Sequence, residues 1–267
     1  MQSMPQLGVG TFRLEDDVAR KTVTDALSIG FCHIDTAQFY GNEEAIGDAI
    51  QTAGINREEL FVTTKVWHDH LDQGSFIPSV HESLNKLKMA YVDLLLIHWP
   101  SPNDHIPMEN YLASLKQAKE EGLTRHIGVS NFTMAQIDKA VEILGEGEIL
   151  TNQIELHPFM QNRQVVEHCK EKGISVTAYM PFAVGKVMKN DELLNIAAAH
   201  GANPAQVVLA WMDAKGIHAI PSSTNKDHLQ ANFDYTQVRL SDEDIQRIDD
   251  LDNGERIVSP DFGPKWD

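Results

Sequence analysis

The sequence predicts a single-domain α/β protein, a closed (β/α)8 TIM barrel with a short C-terminal tail. Three observations lead there. Strand-like and helix-like runs alternate along the 267 residues, in about seven to eight units, with no linker-like or low-complexity stretch between them. The segment "YVDLLLIHWP" is nearly continuous in apolar residues, as a parallel strand covered on both faces should be. The turn after the first clear strand, "IDTAQFYGN", lacks the GxGxxG phosphate loop that a doubly wound open sheet would carry. About 250 residues of uninterrupted units suit a closed barrel better.

The elements follow in order. "DDVARKTVTDALSIG" reads as a helix with Val18, Val23, Ala26 and Leu27 on one face and Gly30 as its stop. "FCHIDT" is a short strand, "EEAIGDAIQTAG" a helix and "LFVTTKVW" a strand. "IPSVHESLNKLKM" is helical and leads into the apolar run above. "MENYLASLKQAKEEG", "TMAQIDKAVEIL" and "RQVVEHCKEKG" read as helices, each followed by a strand: "TRHIGVSN", "LTNQIELH" and "ISVTAYM". "DELLNIAAAHG" and "NPAQVVLAWMDAKG" form two successive helices, the second opened by Asn203-Pro204, since proline is tolerated in a first turn. "HAIPSS" is a short strand. "KDHLQANF" and "SDEDIQRIDDLD" are the last helices, with Ser241 capping a first turn rich in acid.

Composition narrows the function. Hydrophobic residues make up 42% and charged residues 23%, ordinary for a globular chain. A net charge of -17 and a pI near 5.0 repel nucleic acid and anionic membranes at long range. No apolar run approaches the roughly 20 residues of a membrane helix. The start "MQSMPQLGVGTF" lacks the charged leader and apolar stretch of a signal peptide. Cys32 and Cys169 are too few for a disulfide framework, so a reducing cytoplasm is expected, and they read as small buried hydrophobes.

Barrel chemistry sits at the C-terminal ends of strands. Those ends carry Asp35 and Tyr40, then Lys65 and Trp67, then His98 and Trp99. Ser130 and Asn131 follow, then Gln153, Glu155 and His157, then Tyr179, then Ser222, Ser223 and Thr224. A lysine at the inner end of a barrel strand is costly unless paired, and Asp35 on the neighbouring strand is the obvious partner. The pair alone could be structural. With Tyr40 beside it the reading sharpens: an ammonium near a phenol should pull its pKa down from about 10 and make it a general acid. His98 could supply a second donor to a carbonyl.

These stretches carry a resemblance. "MPQLGVGTF", "HIDTAQFYGNE", "TTKVW", "YVDLLLIHWP", "IGVSNF", "NQIELHP", "AYMP" and "IPSST…N" resemble the aldo-keto reductases over nearly the whole chain. The resemblance is nearest to bacterial 2,5-diketo-D-gluconate and methylglyoxal reductases. It implies a catalytic tetrad of Asp35, Tyr40, Lys65 and His98 in a (β/α)8 barrel. Asp35 would hold Lys65, Lys65 would tune Tyr40, and Tyr40 would protonate a carbonyl oxygen as hydride arrives. It implies NADPH as cofactor, with NADH possible. Ser130, Asn131 and Gln153 would hold the carboxamide and Tyr179 would stack on the nicotinamide. Met180, Pro181 and Phe182 would run past the pyrophosphate. Thr11, Asp35, Ser223, Thr224, Lys226, His228 and Asn232 complete the implied cofactor set. Phe12, Trp67, His98 and Trp99 would surround the substrate, a small aldehyde or ketone. A monomer, with no nucleic-acid or membrane partner, is implied.

The chain also departs from the family pattern. Ser222 and His228 stand where the family often has Lys and Arg against the 2′-phosphate, leaving Lys226 as the nearby full charge. Met180 replaces a commoner serine, and Phe12 a commoner tryptophan. The tail ends at "GPKWD", which implies an open site for small substrates.

Other motifs carry less. "HDH", residues 68–70, has two histidines two apart with no third ligand at metal spacing, so no metal is expected. Glu155 and His157 share a strand face and read as structural hydrogen bonding rather than as an acid–base pair. Two rival functions stay open: a nucleotide-binding subunit of the same fold with little turnover, and another barrel enzyme acting on phosphorylated substrates.

Overall fold

The computed structural model describes residues 3–267. Its eight strands form one parallel sheet in chain order: β1 (Val9–Gly10), β2 (His33–Asp35), β3 (Phe61–Val66), β4 (Val92–Ile97), β5 (Thr124–Ser130), β6 (Ile149–Glu155), β7 (Ser175–Tyr179) and β8 (His218–Ala219). The sheet closes on itself. Gly8 N–H donates to the Ala219 carbonyl at 2.8 Å, Ala219 N–H to that of Gln6 at 2.9 Å, and Gly10 N–H to that of Pro221 at 2.9 Å. The seam needs glycine at position 10, because a Cβ there would stand 2.7 Å from the Ile220 carbonyl oxygen.

Among the described residues ten α-helices wrap the barrel: α1 (Asp16–Ile29), α2 (Glu43–Ala53), α3 (Phe76–Leu87), α4 (Met108–Glu120), α5 (Met134–Leu144), α6 (Arg163–Glu171), α7 (Asp191–Ala199), α8 (Pro204–Ala214), α9 (Lys226–Phe233) and α10 (Asp242–Asp249). Their caps follow the sequence signals. Asn203 with Gln206 and Ser241 with Asp244 form capping boxes at α8 and α10, each satisfying two orphan amide or side-chain donors. Gly30, at φ 122°, ends α1. The buried face of α1 is Ala19, Thr22, Val23, Ala26 and Leu27, while Val18 is exposed, contrary to the sequence reading. At 100° per residue Val18 points roughly 140° away from Val23, so it cannot share that stripe.

Alternation along the strands sorts side chains into two layers. Val62, Leu95, Ile97, Ile127 and Val129 join the core between sheet and helices. Phe61, Leu94 and Leu96 cluster with Met4 as a separate apolar group. Along β3, Phe61, Thr63 and Lys65 share one face, so the strand that stacks Phe61 on the inner cluster also directs Lys65 inward. Both cysteines are free; Cys169 is fully buried and Cys32 partly so. No helix of the described residues is long and apolar enough to cross a membrane.

Candidate active site

Lys65 sits at the end of β3, fully buried, and its ammonium has three donors with three acceptors waiting. Nζ donates to Asp35 Oδ1 at 2.5 Å, to the Thr36 carbonyl at 2.8 Å and to Tyr40 Oη at 3.2 Å. The other Asp35 oxygen accepts from Gln153 Nε2 at 2.8 Å, so the buried carboxylate is satisfied on both sides. Lysine can only donate, so Tyr40 Oη accepts from it and keeps its own proton to give elsewhere. A tight turn, Gln38–Tyr40, brings that phenol back over the barrel mouth.

Electrostatics correct one expectation. Burial pushes the Tyr40 phenol well above its ordinary value, and the Asp35 charge adds to this. The sequence reading had Lys65 pulling it down; desolvation comes first here, and the charge that acts beside it is that of Asp35. Burial also pulls Lys65 below the usual lysine range while Asp35 opposes it, and it raises Asp35. His98, at the end of β4, is held well below the usual imidazole value by burial, then by the charges of Lys65 and His68. Its ring is therefore neutral near pH 7, and Nδ1 has no partner within the described residues. It stands edge-on to Tyr40, centroids 5.6 Å apart.

These groups open into a cavity of about 770 Å³. Phe12, Trp67, His98 and Trp99 all line it. Phe12 tilts against Tyr40 at 5.1 Å. Thr11, Asp35, Ser130, Asn131, Gln153, Tyr179, Met180, Pro181 and Phe182 line it too. Thr11 Oγ1 donates to the Asp35 carbonyl at 3.0 Å. Ser130 Oγ donates to the Gln153 carbonyl at 2.7 Å, and Asn131 Nδ2 to that of His98 at 3.0 Å. Tyr179 donates to Asn131 Oδ1 at 2.8 Å. This wall of amides and hydroxyls under an aromatic ring has the donor and acceptor chemistry a nicotinamide carboxamide needs.

The far end is thinner. Ser222 reaches the cavity, but Ser223, Thr224, Lys226, His228 and Asn232 lie outside its lining. Asn225 Oδ1 caps α9, accepting from the amides of Asp227 and His228 at 2.8 and 3.2 Å. Lys226 Nζ faces Asp25 at 3.7 Å, and Asn232 is buried within α9.

The tail adds to the wall of the cavity. Val258, Pro260 and Phe262 line the cavity. Phe262 stands edge-on to Trp67 at 5.8 Å and to Trp99 at 5.5 Å, and Trp266 lies 6.0 Å from Trp99. Trp99 is left only 5% exposed, so even a short tail supplies part of the pocket wall. Sequence reasoning missed these residues and also Arg13, Phe39, Val184 and Met188 of the rim. Phe39 stacks on Trp67 at 4.0 Å although 54% exposed. Two aromatics in the otherwise polar "SPDFGPKWD" were the available signal for the tail.

The remaining motifs fall outside the cavity. His68 Nδ1 lies 2.9 Å from Asp69, and the His68 ring packs on Phe262 at 4.8 Å. His157 Nε2 donates to Glu155 Oε1 at 3.0 Å, both side chains fully buried and neither in the lining.

Comparison with known proteins agrees with this geometry. Residues 6–253 match the model of the aldo/keto reductase family. The chain is 49% identical to methylglyoxal reductase DkgB of Escherichia coli O157:H7, over 99% of this chain and 100% of that one. It is 36% identical to glyoxal reductase of Bacillus subtilis (strain 168), over 95% and 91%. A crystal structure provisionally named 2,5-diketo-D-gluconic acid reductase B superimposes with a TM-score of 0.96 at 38% identity, covering 99% of this chain and 94% of that one. Members of the family generally use NAD(P)H and reduce carbonyls. The chain belongs to the aldo-keto reductase family and is an oxidoreductase of that fold.

Proposed function

We propose that the protein reduces small aldehydes and ketones, methylglyoxal and related 2-oxoaldehydes foremost, with NADPH as the preferred reductant. The observation that carries this reading is Tyr40 Oη, which accepts from Lys65 at 3.2 Å and is left with a proton to donate into the cavity. The relatives named for methylglyoxal and glyoxal support the substrate class. Ser130, Asn131, Gln153 and Tyr179 would hold the nicotinamide, which when bound supplies the hydride.

The chain's own part is orientation and proton supply. A carbonyl oxygen seated between Tyr40 Oη and His98 takes two hydrogen bonds as negative charge develops on it. His98, neutral, donates without competing for the proton. Tyr40 delivers its proton to that oxygen, and Lys65 stabilises the phenolate left behind. Asp35 keeps Lys65 charged and aimed through a contact closed to water. Phe12, Trp67 and Trp99 surround the rest of a small substrate with apolar surface. Phosphate recognition rests on Ser222 and the hydroxyls after it, without a bidentate arginine.

The test is consumption of NADPH and, in parallel, NADH by the purified protein with methylglyoxal, a 2-keto ester, an aromatic aldehyde and 2,5-diketo-D-gluconate. Turnover abolished by Tyr40→Phe supports the reading. Tight nucleotide binding without turnover of any of them would overturn it and favour a nucleotide-binding subunit.

A further inference from the structure

The tail that walls the cavity is held at several points, one of them a buried carboxylate. Residues 252–258 run along the loop that follows β6. The Phe159 carbonyl accepts from Asn253 and Glu255, at 3.3 and 2.9 Å. Arg256 donates to Asn162 Oδ1 at 2.9 Å and lies 3.9 Å over the Trp266 ring. The last polar anchor before the wall is Glu155, at the end of β6. Its two oxygens accept separately from the amides of Ile257 and Val258, each at 2.7 Å. His157 Nε2 donates to Oε1 from the other side at 3.0 Å and fixes the carboxylate plane. Four residues beyond Val258, Phe262 meets Trp67 and Trp99.

Glu155 is fully buried, does not line the cavity and, among the described residues, forms no close ion pair with lysine or arginine, although its charge acts at longer range on Arg256 of the same tail. A buried carboxylate is costly, so its retention needs a geometric task that a neutral residue cannot perform. Holding two successive backbone donors from one side chain is such a task. Glutamine would offer one acceptor and turn an NH₂ towards the other amide.

We propose that Glu155 is a positioning residue for substrate selection: by clamping the Ile257–Val258 backbone it sets Phe262 against Trp67 and Trp99, and so fixes the wall that reads the bulk of the carbonyl substituent. The inference rests on the carbonyl-reductase reading above. Methylglyoxal, with a lone methyl group, is too small to depend on that wall. Phenylglyoxal carries the same dicarbonyl with an aromatic ring that must pack on it.

The experiment measures KM and kcat for both aldehydes in the wild type, Glu155→Gln, Phe262→Ala and the double variant. Glu155→Gln should raise KM for phenylglyoxal about tenfold, the scale of a lost apolar contact, with kcat changed less than about twofold. Methylglyoxal constants should stay within about twofold. The double variant should be no worse than Phe262→Ala alone, because both act through one wall. Equal loss of kcat for both substrates, or losses that multiply in the double variant, would overturn the proposal. If Glu155→Gln does not fold, Glu155→Asp keeps the charge but is too short to reach both amides, and takes its place. Amide hydrogen exchange at residues 257–262 gives a second readout, expected to speed up in the variant; unchanged exchange also overturns the clamp. Should the wild type reduce neither aldehyde, the carbonyl reading fails, while exchange still decides whether Glu155 holds the tail.

Discussion

Lys65 Nζ lies 3.2 Å from Tyr40 Oη, on the only side of the ammonium not already taken by Asp35 and the Thr36 carbonyl. The phenol is an acceptor towards lysine and a donor towards the cavity. Burial keeps it protonated across the neutral range, which is the state a proton donor must start from. Tyr40→Phe removes that proton and little volume. Turnover of methylglyoxal should fall by about 10²–10⁴-fold, with nucleotide affinity changed less than about twofold. Steady-state rates beside a fluorescence titration with NADPH check both; equal loss of rate and affinity would contradict the role.

The Asp35–Lys65 contact predicts a stability effect separable from catalysis. Both groups are buried to within 1% exposure, so removing one charge strands the other. Asp35→Asn keeps the shape and should destabilise the fold by about 3 kcal/mol, read from urea unfolding. Adding Lys65→Met should restore much of that loss while activity stays absent. A double variant no more stable than Asp35→Asn would mean that packing rather than charge holds this part of the mouth.

How much of this was legible follows from the range of the forces involved. Lys65 and Asp35 could be paired from sequence because neighbouring strands in a barrel place consecutive strand ends together, and charge does the rest. Strand β1 could not be read: Val9–Gly10 is two residues following Gly8, with no alternation to detect, and exists because backbone groups of Gly8 and Gly10 meet Ala219 and Pro221 across the seam. The sign of the Tyr40 shift was misread because depth of burial is a property of the fold, and here the Asp35 charge acts in the same direction. Phe262 was invisible for a related reason. Its partners, Trp67 and Trp99, lie more than 160 residues away in sequence, and the contacts that bring the tail to them, those of Phe159, Asn162 and Glu155 among them, exist only in the fold.

A buried histidine outside the cavity lining should shape acid stability. His33, on β2, is 1% exposed; Nε2 meets Thr63 Oγ1 at 3.1 Å and Nδ1 has no partner among the described residues. Burial, then the charges of His218 and Lys65, pull its pKa from 6.5 down to about 3. Between those values the unfolded chain binds a proton that the folded chain refuses. Stability is therefore full above pH 6.5 and falls as pH drops towards about 3, by up to about 1.4 kcal/mol per pH unit from this one group. His33→Gln should be less stable at neutral pH yet lose less between pH 6.5 and 3 than the wild type. Urea midpoints across that range measure it, and parallel curves for the two proteins would assign the acid sensitivity to other groups.

The last prediction concerns the 2′-phosphate. His228 occupies the first turn of α9, exposed, while Lys226 leans towards Asp25 at 3.7 Å. A phosphate arriving here meets hydroxyls from Ser222 onward, one lysine already facing a carboxylate, and the Asp25 charge itself. Without a planar guanidinium to grip two oxygens, discrimination between NADPH and NADH should be modest. His228→Arg supplies the fork on the same turn. KM for NADPH should fall about tenfold, with the NADH constants and kcat unchanged. The gain should shrink as salt is raised, since an exposed ion pair is screened over about 8 Å at physiological ionic strength. A variant that improves both nucleotides equally would show that position 228 reads something common to them, such as the adenine or its ribose, and would move phosphate recognition to the Ser222–Thr224 hydroxyls.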